Sequence, residues 1–124
     1  MNNFNKEYIK ECDCKEIQGL RKRLVMGDYY MDTSSIQPKE INLSRDVELD
    51  NRSPYSWLPT GDQLDEEIVK ICKKKFYEYE FFMQWDNCKI SYFVCVKEDG
   101  NLQQNSRNDN PLIAKILLLK ELLK

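Results

Sequence analysis

The 124-residue chain contains no histidine. That absence removes the Ser-His and Cys-His nucleophile pairs, the His-bearing zinc sites and any imidazole switch near neutral pH. Glycine is scarce, and Gly19, Gly27, Gly61 and Gly100 stand apart, so no Gly-rich loop is available to cradle a phosphate. No apolar run approaches the roughly 20 residues of a membrane helix. The opening Met-Asn-Asn-Phe-Asn-Lys-Glu-Tyr lacks the apolar segment of a signal peptide. A protein of a cytoplasm, without a membrane, is expected. Excess positive charge is missing as well: 19 Lys and Arg against 21 Asp and Glu leave a formal charge of -2, which gives no global reason to bind nucleic acid.

Cysteine is present, but in a count that argues against disulfides. Cys12, Cys14, Cys72, Cys88 and Cys95 are odd in number, and a reducing compartment disfavours stable bridges. Buried free thiols are the expectation. Cys12-X-Cys14 with two of the others would make a four-thiolate zinc set, yet the spacings match no zinc knuckle, so no metal is expected. Asp62, Asp65 and Glu66, and the pair Glu78 and Glu80, are accounted for by a helix dipole and a solvated strand face. No catalytic constellation remains, so neither an enzyme nor a cofactor is expected.

The most decisively written stretch is Trp57 to Lys75. Thr60 can cap a helix and Gln63 can close the capping box. Asp62, Asp65, Glu66 and Glu67 sit in the first turns and Lys73, Lys74 and Lys75 in the last, which complements the helix dipole. Leu64, Ile68, Ile71 and Cys72 form one apolar stripe that something must cover. A sheet is the expected cover, with the rest of the chain packed around this helix.

Along the chain, the spacing of Phe4, Tyr8, Ile9 and Cys12 predicts a helix over about 5–12, followed by a short helical piece or turn. Leu24 to Met31 reads as a strand around Gly27-Asp28, and Glu40 to Asp50 as one or two short strands. Asp50 to Pro54 reads as a loop. Phe76 to Trp85 alternates, with Tyr77, Tyr79, Phe81, Met83 and Trp85 on one side. Asp86-Asn87 reads as a hairpin turn, and Lys89 to Lys97 as the return strand. Asn101 to Asp109 reads as a polar loop. Asn110 caps a last helix with Pro111 at its first position. Its many Leu and Ile residues predict burial on more than half its circumference, either deep in the monomer or against a second subunit. The expected architecture is one α+β domain over 1–124, an antiparallel sheet of about four to five strands flanked by helices.

Phe4 to Gln18, Gly27-Asp28-Tyr29-Tyr30 and above all Trp57-Leu-Pro-Thr-Gly-Asp-Gln-Leu64 resemble small proteins of bacteriophages and prophages. They are similar to the phage ABA-sandwich domain group, whose final apolar helix Asn110 to Lys120 also resembles. The resemblance implies a phage accessory protein inside a bacterial cell and lends no catalytic residues. For a small acidic domain without catalytic groups, action by binding is the expectation. The first reading is an inhibitor of a host anti-phage defence protein, of anti-CRISPR or related type, with Glu40, Asp46, Glu48 and Asp50 or the central helix as a negative surface. The second is an oligomeric sponge for a nucleotide immune signal, and the third a structural or replication accessory protein. Tyr55, Trp57, Tyr29 and Tyr30 are the candidate stacking residues, and Arg23, Arg52 and Arg107 the candidate phosphate ligands. A homo-oligomer would form through the terminal helix.

Overall fold

The computed structural model describes residues 4–21, 23–24, 27–32, 41–43, 49–50 and 55–124. Side chains of Arg23, Asp32, Tyr55, Asp86 and residues 41–43 and 49–50 lie outside that description. The elements are α1 (Lys6–Cys12), α2 (Lys15–Gln18), β1 (Arg23–Leu24), β2 (Tyr29–Asp32), β3 (Ile41–Leu43), β4 (Leu49–Asp50), β5 (Tyr55–Leu58), α3 (Gly61–Lys75), β6 (Glu78–Asp86), β7 (Lys89–Glu98), β8 (Asn101–Asn108) and α4 (Pro111–Leu122). The class is α+β with antiparallel pairing throughout the described ladders. The described strands divide into three ladders, ordered β1-β4, β3-β2-β5 and β6-β7-β8.

The helix starts follow from the capping chemistry. Thr60 Oγ1 accepts from the Gln63 N–H at 3.3 Å, and Gln63 Oε1 accepts from the Thr60 N–H at 2.9 Å, the reciprocal pairing of a capping box. Gln63 also donates through Nε2 to Asp28 Oδ1 at 2.8 Å, which fixes the start of α3 to the turn before β2. Asn110 Oδ1 accepts from the Leu112 N–H at 2.8 Å, and Pro111 follows where its missing donor costs nothing. In the β6–β7 hairpin the turn residues are Asn87 and Cys88, with φ of 49° and 63°, one position later than the sequence reading. Both central residues need positive φ there, and Asp86 pairs instead with Lys89.

Two sequence expectations are corrected by the packing. Asn101–Asn108 is a strand rather than a loop: it pairs with β7 from Glu98↔Asn101 to Tyr92↔Asn108, after a turn in which Asp99 and Gly100 both have positive φ. Its asparagines have little strand preference of their own, and the partner strand overrides that preference. The second correction concerns the cover of α3. Its stripe of Leu64, Ile68 and Cys72 packs mainly on α4, with β6 touching it less.

α4 is the centre of the molecule. It touches α1, α3, β7 and β8, and Leu112, Ile113, Ala114, Ile116, Leu118, Leu119 and Leu122 are all buried. A helix with apolar residues around most of its circumference must be enclosed over most of it. The sequence left two ways of burying it, and the chain's own elements supply the enclosure. Leu119 is fully buried within the chain. Ion pairs tie the wrapping to the centre: Lys120 Nζ to Glu11 Oε2 of α1 at 2.7 Å, and Lys115 Nζ to Asp65 Oδ2 of α3 at 3.1 Å. The Lys120 ammonium is held above its usual range by its bond to Glu11.

Among the described residues no helix is long and apolar enough to cross a membrane. Leu119→Glu is expected to unfold the protein, at a cost of at least about 3 kcal/mol, because the carboxylate would have no partner in the core. Urea denaturation checks this; a stable, folded Leu119→Glu protein would place α4 on a surface.

Candidate binding surface on the β6–β7 hairpin

The residues expected to form a ligand site do not converge. Trp57 is 2% exposed, so its ring is unavailable for stacking a base. The backbone around it is pinned: the Trp57 N–H donates to Gln18 Oε1 at 2.7 Å, Gln18 Nε2 donates back to the Trp57 carbonyl at 3.0 Å, and the Tyr8 hydroxyl donates to the Pro59 carbonyl. The Arg21 guanidinium lies 4.7 Å from the indole centroid. These contacts make Trp57 a structural anchor. Tyr30 lies opposite Trp57 and Tyr29 opposite Leu58 in the β2–β5 ladder, both half-buried, and Tyr29 meets the Phe4 ring edge-on at 5.3 Å. Tyr55 is opposite Asp32 by backbone register, and Arg23 opposite Asp50 in β1–β4. Arg52 lies outside the described residues, as do Glu40, Asp46 and Glu48. Arg107 sits on β8 opposite Phe93, in a different ladder from the tyrosines.

Nor do the thiols gather. Among the described residues no three Cys, Asp or Glu side chains converge as a metal site. Burial pushes the Cys12 thiol up to about 12, against the smaller lowering effect of its bond with Tyr8. The Tyr8 hydroxyl is itself raised far above its ordinary range, by burial first. Cys72 and Cys95 are raised as well, chiefly by burial. A polar recess of about 170 Å³ lies between the end of α3, β8 and the end of α4, lined by Lys75, Tyr77, Gln104, Glu121 and Lys124. Ligand pockets run to about 300 Å³ or more, so a nucleotide would not be enclosed there.

What the fold does leave open is one face of the hairpin. Tyr79, Phe81, Met83 and Trp85 share a face of β6 because side chains alternate along a strand, and they stand opposite Val96, Val94, Tyr92 and Ile90 of β7. At the root the row is core: Val94 and Val96 are fully buried, and the Tyr79 hydroxyl donates to Asp65 Oδ1 at 2.8 Å. Burial and that carboxylate hold the Tyr79 hydroxyl well above its usual range. Further out the cover ends. Phe81 is 42% exposed, Met83 63%, Trp85 75% and Ile90 40%.

Lengths explain the overhang. A helix of 12 residues spans about 18 Å, whereas a nine-residue strand spans about 30 Å, so α4 covers the root of the sheet and not its end. β8 also stops, opposite Tyr92, which leaves the last part of the hairpin two-stranded. Phe81 marks the border: it stacks on Tyr92 with centroids 5.9 Å apart, and Lys115 of α4 lies 4.6 Å from its ring centroid. At about 200 Å² for each large side chain, the exposed row presents on the order of 400 Å² of contiguous apolar surface. A patch of that size is on the scale of the largest apolar patch of an ordinary monomer, which is often functional.

Sequence reading placed Phe81, Met83 and Trp85 on one face and left open what that face meets. The available signal was the mismatch between a long hairpin and a short helix. Compared with protein-family models, with curated proteins and with solved structures, the chain finds no match.

The thiols report the same border. Cys88, exposed in the turn at the end of the row, is expected to take up a maleimide at pH 8 at least about tenfold faster than the buried Cys12, Cys72 and Cys95. Mass spectrometry of digested, natively labelled protein checks this; equal rates would mean that the native core is open.

Proposed function

We propose that this protein acts by binding another protein, through the apolar row Phe81, Met83, Trp85 and Ile90 on the outer part of the β6–β7 hairpin. One observation carries the reading: a contiguous row of four large side chains continues the core and then runs out into solvent. Exposing such a row is unfavourable for a free monomer and favourable for a complex, where each side chain gains roughly 1.5–3 kcal/mol on full burial. Trp and other large aromatic side chains are the residues most enriched at the energetic centres of interfaces.

The resemblance to phage accessory proteins supplies the setting, which is an inhibitor of a host anti-phage defence protein. A binding surface without catalytic groups is the equipment such an inhibitor requires. The nucleotide-sponge reading draws less support, because Trp57 is buried and Arg107 lies in another ladder from Tyr29 and Tyr30. A partner bound through the hairpin could be blocked directly, with no need for a strongly acidic surface.

The test is co-purification from a phage-sensitive bacterial host, comparing the wild type with the double variant Met83→Glu and Trp85→Glu. The wild type is expected to retain a host protein in stoichiometric amount, and the double variant, still folded by circular dichroism, to lose at least about 90% of it, as for removal of two central contacts. Retention of the same protein by the double variant would remove the hairpin from the binding surface.

A further inference from the structure

The hairpin offers an edge as well as a face. Among the described residues β6 is the outer strand of its ladder and pairs with β7 alone. All nine residues are in unbroken register, from Glu78↔Lys97 to Asp86↔Lys89, and the irregularity in this sheet falls in the β7–β8 pairing, at Val96 and Lys97. Natural edge strands are usually blunted by proline, lysine, a bulge or shortness. β6, Glu-Tyr-Glu-Phe-Phe-Met-Gln-Trp-Asp, has no proline, lysine or bulge, and its charges, Glu78, Glu80 and Asp86, flank an uncharged run from Phe81 to Trp85.

The direction of the free backbone groups follows from the turn. In a hairpin with a two-residue turn, the residues flanking the turn exchange both of their hydrogen bonds, and the pairs then alternate along the ladder. Here the flanking pair is Asp86 and Lys89, so Gln84, Phe82 and Glu80 turn their N–H and C=O groups inward to β7. Trp85, Met83, Phe81 and Tyr79 turn theirs outward. The residues with free backbone groups are thus those whose side chains form the apolar row.

Resting on the binding reading above, we infer that the partner docks an extended strand antiparallel to β6, with apolar side chains alternating along the row and basic residues at the end beside Glu78 and Glu80. Strand addition takes affinity from main-chain hydrogen bonds and specificity from alternate side chains, and β6 presents both along one line. Charge selects the occupant. The acids of β6 are Glu78, Glu80 and Asp86, so a second copy paired over the full strand about Phe82 would set Glu78 opposite Asp86 at both ends, acid against acid. Glu80 already meets Lys97 of β7 at 3.2 Å, so Glu78 is the acid that a partner's Lys or Arg would meet first, and a strand with a base at that end gains where the second copy loses.

The probe is a synthetic nine-residue peptide, as long as β6, of sequence Thr-Val-Thr-Leu-Thr-Val-Lys-Val-Lys, titrated against the full chain. Slowed amide exchange at Phe81 and Met83 is expected on binding. N-methylation of the peptide's Leu, whose N–H would point at β6, is expected to weaken binding by about tenfold, while N-methylation of the adjacent central Thr, whose N–H points away, leaves it in place. Replacing both Lys by Glu is expected to weaken it by a similar factor. Equal binding of the two N-methylated peptides would overturn the edge inference, as would an absence of binding, and equal binding of the Glu peptide would overturn the choice of occupant. Protection of Phe81 and Met83 that rises with protein concentration, together with a sedimenting dimer, would assign the edge to a second copy. In each of these cases the binding reading stands if Met83→Glu with Trp85→Glu still releases the host protein, and falls if it does not.

Discussion

Everything in this fold depends on hiding a helix that is apolar over most of its circumference. α4 shows water little more than Glu121, so its seven buried residues need neighbours over most of its circumference. Each large one contributes about 1.5–3 kcal/mol on burial, which makes this enclosure the strongest single organising force in the chain. α1 and α3 close two sides and β7 with β8 close another. The polar ties then fix angles rather than drive collapse: Lys120 to Glu11, Lys115 to Asp65, and the Gln18 and Gln63 bridges that hold the Trp57 segment and Asp28 in place.

That enclosure has a consequence at the far end of the sheet. Once α4 is covered, the remaining length of β6 and β7 has no structural duty toward it, yet the apolar alternation continues through Met83 and Trp85. A strand that ended its function at the core would switch to polar residues where the helix stops. Here the same face and the same alternation continue outward, joined to the core through the stacked Phe81 and Tyr92.

Local signals in the sequence were legible wherever a residue acts on its near neighbours. The Thr60 and Gln63 capping box, the Asn110-Pro111 start and the two long hairpin strands were all readable, because their causes lie within three or four residues. What escaped was set by partners distant in the chain. Asn101–Asn108 is a strand because β7 pairs with it, and α3 rests on α4 because α4 has no other way to be covered. Trp57 looked like a ligand platform in sequence, since a tryptophan beside tyrosines and arginines fits stacking as well as it fits a core. Only the clasp from Gln18 and Tyr8 decides between them. The exposed hairpin face was hidden for the same reason: the alternation puts Phe81, Met83 and Trp85 on one side, and only the reach of α4 says how far that side is covered.

The central claim is that the outer hairpin row belongs to binding and not to the fold. Its most direct test is the unfolding free energy of the double variant Met83→Ser and Trp85→Ser, measured by urea denaturation beside the wild type. If the row is spare, each exposed substitution falls within about 0.5 kcal/mol and the two curves nearly coincide. A loss of more than about 2 kcal/mol, the scale of emptying a core site, would show that the row is part of the fold and would contradict the account.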